Sequence, residues 1–211
     1  MRRLPVYLLL DTSGSMRGEP IEAVRTGVSM LVSSLRQDPY ALESVWISII
    51  TFDREARVIL PLTSLEELQI PEIVTPDSGP THLGEALVLL SRTVSREVVR
   101  SSATAKGDWR PLLFVMTDGA PSDLGVYRDA ITDIKSRGFA SIIGCAAGPK
   151  GRVQELSELA DQVVRLDTLD TAGFKAFFAW VSASVARGNV SQGVANSLEL
   201  PPPPPELHMV V

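Results

Sequence analysis

Asp11, Ser13 and Ser15 present one carboxylate and two hydroxyls at alternate positions in Leu10-Asp11-Thr12-Ser13-Gly14-Ser15-Met16, directly after an apolar run. A tight turn leaving a strand can aim alternate residues at one point, and Gly14 relieves the backbone crowding that this requires. Two later segments carry matching oxygens. Thr81 lies in Gly79-Pro80-Thr81-His82-Leu83-Gly84, and Asp118 follows the apolar run Leu112-Leu113-Phe114-Val115-Met116-Thr117. Carboxylates and hydroxyls without thiolate or imidazole suit the hard cations Mg²⁺, Mn²⁺ or Ca²⁺ and argue against zinc or copper. The candidate metal ligands are therefore Asp11, Ser13, Ser15, Thr81 and Asp118.

Each of these residues also has a plainer use. Ser13 and Ser15 can form turns, Asp118 can bond its own backbone, and Thr81 can either cap the helix that follows it or face an ion. Asp53, closing Thr51-Phe52-Asp53, reads as a turn residue that could also steady the crevice from behind. Asp123 is expected to cap the helix beginning near Val126. His82 beside hard ligands reads as a surface or cap residue, and tail His208 is the only other histidine. Neither stands in a Ser-x-His arrangement, which opposes a serine hydrolase. The first loop lacks Gly-x-Gly-x-x-Gly and offers Asp11 where a phosphate would be repelled, which opposes nucleotide binding.

The elements that must position these oxygens alternate along the chain. Val6 to Leu10 reads as an all-apolar strand, as expected where helices cover both faces of a parallel sheet. A helix from about Pro20 carries Ile21, Val24, Val28, Leu31, Val32 and Leu35 on one face. Val45 to Phe52 and Arg57 to Leu60 read as strands, and 61–76 as an irregular connection. A second amphipathic helix starts at His82. Then follow strand Leu112 to Met116, a helix from about Val126 to Arg137 closed by Gly138, strand Ser141 to Ala146, helix Val153 to Ala160 and strand Val163 to Leu166. A last helix from about Thr171 carries Phe174, Phe177, Phe178, Val181 and Val185 at core spacing. This alternation implies an α/β fold: one domain, with a doubly wound, mostly parallel sheet and helices on both faces. Such sheets bind ligands beyond the carboxyl ends of their strands at a topological switch point, where Asp11 and Asp118 would stand. The domain is expected to occupy 1–188. Residues 189–211, with the proline run 201–205, are expected to form a flexible tail, and the prolines an extended spacer or a ligand for an aromatic groove.

With 211 residues, 45% of them hydrophobic and 21% charged, the chain has ample material for a core. A net charge of −5 and no Lys/Arg cluster on any predicted face disfavour nucleic acid as a partner. Cys145, the single cysteine, excludes an intrachain disulfide and sits in an apolar run, as an inert buried thiol does. Arg2-Arg3 before Leu4 could open a signal peptide, but Pro5 and Asp11 break and end the apolar stretch. No run approaches the roughly 20 apolar residues of a membrane helix. A cytoplasmic location, away from membranes, is expected.

The Asp-x-Ser-x-Ser run, the Thr of Gly-Pro-Thr and the Asp of Thr-Asp-Gly, in that order, resemble the metal-ion-dependent adhesion site (MIDAS) of von Willebrand factor type A (VWA) domains. The resemblance runs from residue 4 to about 187 and matches all five ligand positions. Within the family, Leu-Leu-Asp-Thr-Ser-Gly-Ser-Met at 9–16, Pro-Leu-Thr at 61–63 and Thr-Asp-Gly-Ala-Pro-Ser-Asp at 117–123 look most like TerY-type tellurium-resistance proteins, whose Glu in Thr-Asp-Gly-Glu-Pro is Ala120 here. The resemblance implies a non-enzymatic interaction module in which Mg²⁺ or Mn²⁺ captures a partner's Glu or Asp. It further implies a tellurite or stress-response complex with a protein kinase and a phosphatase. The rival enzyme is a haloacid-dehalogenase-type phosphohydrolase, whose second acidic residue would stand where Ser13 is. An extracellular adhesin is the third alternative.

Overall fold

Leu4–Asp11 is buried along its whole length and forms β1, an interior strand of the sheet. Its side chains alternate between two cores. Leu4, Val6, Leu8 and Leu10 enter one, while Tyr7 and Leu9 enter the other. In this computed structural model, which describes residues 2–148, 152–168, 170–191 and 200–210, seven strands run in the order β3-β2-β1-β4-β5-β6-β7. They are β1, β2 (Val45–Phe52), β3 (Ala56–Ser64), β4 (Leu112–Thr117), β5 (Ser141–Ala147), β6 (Gln162–Leu166) and β7 (His208–Met209). The pairs β2-β1, β1-β4, β4-β5 and β5-β6 are parallel, whereas edge strands β3 and β7 are antiparallel to their neighbours.

Helices α1 (Glu19–Arg36), α2 (Pro39–Ser44) and α6 (Thr171–Ser191) cover one face; α3 (Leu83–Glu97), α4 (Leu124–Ser136) and α5 (Val153–Leu159) cover the other. The aromatic residues Phe174, Phe177 and Phe178 of α6 are buried against α1. A Cβ on Gly27 of α1 would lie 2.0 Å from the Phe178 ring, so this contact requires glycine. Gly138, at φ 78°, follows α4 in the left-handed conformation that ends helices. Cys145 is buried, and burial pushes its thiol pKa well up.

Three expectations need revision. Strand β3 continues through Pro61 to Ser64 instead of giving way to an irregular connection, because an edge strand tolerates a residue with no N–H. The short helix α2 was not foreseen; it is set by Asp38, whose carboxylate accepts from Tyr40 N and Ala41 N. The third concerns the chain end. Of the expected 189–211 tail, 192–199 and 211 lie outside the described residues, but α6 runs on to Ser191, and 200–210 return to the sheet. There β7 pairs with β6, Leu207 is buried, and Trp180 Nε1 donates to Pro201 O at 2.9 Å. The proline segment thus meets an aromatic residue of its own chain. Among the described residues no helix is long and apolar enough to cross a membrane.

Candidate functional site

From β1 the chain connects to β2 on one side; from β3 it crosses back, through α3, to β4 on the other side of β1. The reversal leaves a crevice beyond the carboxyl ends of β1 and β4. Asp11 is the last residue of β1 and Asp118 the first beyond β4, so the topology alone makes them neighbours.

After Asp11 the backbone turns through Gly14–Met16, one turn of 3-10 helix. Ser13 N donates to Asp11 Oδ1 at 2.8 Å, which folds the turn back over its own carboxylate. Ser13 Oγ and Ser15 Oγ are 3.2 Å apart, and Ser15 Oγ donates to Asp118 Oδ1 at 2.8 Å. Four of the five candidate side chains therefore form one hydrogen-bonded group. Asp11, Ser13 and Asp118 are buried, while Ser15 faces solvent at the mouth. The loop before α3 closes over the turn. A Cβ on Gly14 would meet Ser78 Cα at 3.0 Å and Gly79 N at 3.1 Å, so a side chain there would press on the backbone of that loop.

Thr81 is buried in this second loop, where Ser122 Oγ accepts from Thr81 N and Ser122 N donates to Thr81 O. Its hydroxyl caps no helix. The cap of α3 is Asp123, whose two carboxylate oxygens accept from Gly84 N and Glu85 N at 3.1 and 2.9 Å. Asp123 was expected to cap its own helix, α4, and makes no side-chain cap there. The reason is proximity: a Cβ on Gly84 would lie 2.4 Å from Tyr127 N, so the starts of α3 and α4 nearly touch, and the carboxylate serves the neighbour. A Cβ on Gly119 would stand 3.6 Å from Thr81 Oγ1, which places that hydroxyl against the Asp118-Gly119 turn.

Two further hydroxyls, passed over in the sequence, orient this group. Thr117 Oγ1 donates to Asp11 Oδ2 at 2.6 Å, and Thr12 Oγ1 donates to Asp53 Oδ2 at 3.1 Å. Asp53 also accepts from Arg54 N and Glu55 N, so it is both a turn residue and a brace for Thr12. Each threonine adjoins a candidate aspartate in sequence, a signal that was available. His82 stands outside the cluster, with Nδ1 3.0 Å from Arg54 O.

Burial pushes Asp11 up to about 6; hydrogen bonds from Thr117 and Ser13 pull the other way, and the Asp118 charge adds to the rise. Two carboxylates facing each other behind a shield of protein suit a divalent cation, which would offset both charges. The donors are all hard oxygens, and among the described residues no group of three or more His, Cys, Asp and Glu side chains forms another metal site. The residues therefore fit a hard divalent cation.

The family model described as "von Willebrand factor type A domain" matches residues 6–168. An uncharacterized protein of Synechocystis sp. is 29% identical over 123 residues, covering 56% of this chain and 26% of that protein. The chain thus spans about a quarter of the curated relative. Among solved structures, a von Willebrand factor type A protein from Catenulispora acidiphila aligns with a TM-score of 0.63 at 18% identity, covering 88% of this chain and 43% of that one. Proximal thread matrix protein 1 from the mussel byssus, solved with a zinc-occupied MIDAS motif, aligns with a TM-score of 0.63 at 16% identity, covering 88% and 48%. At such identities the structural likeness shows the fold.

Proposed function

This chain belongs to the von Willebrand factor type A domain family, and from that premise we propose that it is a metal-dependent protein-interaction module. Asp11, Ser13, Ser15, Thr81 and Asp118 would hold Mg²⁺ or Mn²⁺, and a Glu or Asp of a partner protein is the group captured. The bound ion supplies a Lewis-acidic position open to that carboxylate. One observation carries the reading: two buried carboxylates and the Ser13 and Ser15 hydroxyls, drawn from segments 103 residues apart, meet at the switch point with the Thr81 hydroxyl beside them. Ser15, exposed at the mouth, keeps the group reachable from solvent. Thr117, Thr12 and Asp53 hold the ligands in place, and Asp123 leaves Thr81 without a capping duty.

The finer assignment rests on the residues at 9–16, 61–63 and 117–123: a TerY-type protein of the cytoplasm, working in a tellurite or stress-response complex with a protein kinase and a phosphatase. The position two residues after Asp11, where a phosphohydrolase of the haloacid-dehalogenase type would carry its second acid, is Ser13. The zinc found in the mussel protein's MIDAS makes zinc a necessary arm beside Mg²⁺ and Mn²⁺ in any metal titration.

Affinity capture from host lysate tests the reading, with wild type in Mg²⁺, wild type in EDTA, and Asp118→Ala. Partners, kinase and phosphatase among them, are expected only with wild type and metal. Partners kept in all three arms would refute metal capture. Asp11-dependent turnover of a generic phosphomonoester would favour the enzyme, and cell-surface partners alone would favour the adhesin.

A further inference from the structure

At the opposite end of β1, arginines distant in sequence converge. Arg2, Arg100, Arg110 and Arg137 line a cleft of about 280 Å³ whose apolar wall includes Val94, Val98 and Val99, the last 57% exposed. The absence of a Lys/Arg cluster on any predicted face therefore does not survive folding. The cluster is assembled by topology, from the chain start, the 98–111 connection and the end of α4. Residues 92–110 alone carry five cationic side chains against two acidic ones, in a chain of net charge −5.

The one carboxylate in the cleft is already engaged. Asp108 binds Arg3 through both oxygens, at 2.8 and 2.6 Å, and accepts from Val99 N at 2.8 Å. Arg2 is fixed by backbone carbonyls, with Nε donating to Gly107 O and a terminal nitrogen to Asp108 O, and its guanidinium lies 3.6 Å over the Trp109 ring. Arg100 is exposed and has no ion pair among the described residues. Arg137 is paired with Asp133 at 2.8 Å, so the charge the cleft offers is that of Arg100 beside Arg2, set against an exposed apolar wall, and the cleft's volume is near the lower limit for ligand pockets, about 300 Å³. Arg2 already covers one face of Trp109.

We infer that this cleft docks an acidic segment of a partner protein, seating one apolar side chain against Val98 and Val99 while flanking carboxylates meet Arg2 and Arg100. Guanidinium forks match carboxylates in two-point contacts. The surface lies at the far end of the strands from Asp11 and Asp118, so its occupancy is independent of metal.

The probe is a fluorescein-labelled Glu-Glu-Leu-Glu-Glu peptide, followed by anisotropy with the full chain in EDTA and low salt. Saturable binding is expected. It should weaken about tenfold or more in Arg100→Glu, which touches no partner needed for folding, and fall as salt screens the charges. Asp118→Ala should bind as wild type does, which separates this surface from the metal site. Thermal unfolding of Arg100→Glu, expected to match wild type, certifies the fold. Lack of saturation, equal binding by Arg100→Glu, or equal binding of a Lys-Lys-Leu-Lys-Lys peptide would overturn the inference. Tighter, Arg100-dependent binding of a labelled single-stranded RNA would overturn it in favour of nucleic acid.

Discussion

Replacing Asp11 by Asn removes a buried charge while keeping the shape of the side chain, and the neighbours allow the exchange. Ser13 N can still donate to the amide oxygen. Thr117 Oγ1, which donates to Asp11 Oδ2, also lies 3.3 Å from Gly119 O and can turn its proton there, accepting instead from the new amide. The carboxyl pKa rises from 3.8 to about 6 on folding, because burial disfavours the charged form. A raised folded-state pKa means that the group's stabilisation is complete below 3.8 and is lost as pH rises through about 6. At about 1.4 kcal/mol per pH unit, metal-free wild type should lose about 3 kcal/mol of stability across that window from this group alone. Asp11→Asn should lose none of it. Urea unfolding in EDTA, repeated from about pH 4 to about pH 8, should show the variant drawing level with wild type at the acid end and exceeding it by up to about 3 kcal/mol at the other. Adding Mg²⁺ should reverse the ranking, since only wild type gains from binding to the folded state. A variant less stable than wild type near neutrality in EDTA would refute the argument, because the hydrogen bonds to the carboxylate would then outweigh its burial.

Two further substitutions probe how the site is held. Asp123→Ala should cost about 1 kcal/mol in urea unfolding by uncapping α3 and should weaken Mg²⁺ binding by loosening Thr81, whereas Asp123→Asn, which keeps one acceptor, should recover part of both. Gly27→Ala drives a methyl into the buried Phe178 ring and should cost about 1–3 kcal/mol. An unchanged melting temperature in Gly27→Ala would mean that α6 does not press on α1 as described.

The fold was legible because its strands and helices differ in period: β1 and β4 are unbroken apolar runs, while α1 and α3 repeat at three and four. The five oxygens were legible because they fall at strand and loop ends that a doubly wound sheet gathers. Local reasoning failed where a partner comes from elsewhere in the chain. Asp123 has a helix of its own to cap, and only the approach of Gly84 to Tyr127 gives it another. The proline run reads as a spacer because nothing local binds it; Trp180 bonds Pro201 from a distance, and the edge of β6 pairs with His208 and Met209 just beyond the run. The arginine cleft was hidden for the same reason, since its members are separated by up to 135 residues.

β1 links the two surfaces physically. It carries Arg2 and Arg3 just before and Asp11 at its end, and eight strand residues at about 3.3 Å each set roughly 26 Å between them. That distance exceeds the reach of the five-residue probe, about 17 Å when fully extended, so one short acidic segment cannot occupy both places. On the proposed readings both surfaces would nevertheless favour carboxylates, one through a cation held by oxygens and the other directly through guanidinium groups. They differ in what each would discriminate. Of the five candidate ligands only Ser15 is exposed, which suits a single projecting carboxylate, whereas the cleft's apolar wall would select for the residue beside the charge. A partner carrying two acidic segments would gain from both, because binding at one raises the local concentration of the other segment at the second. β1, buried on both faces between β2 and β4, keeps that spacing fixed.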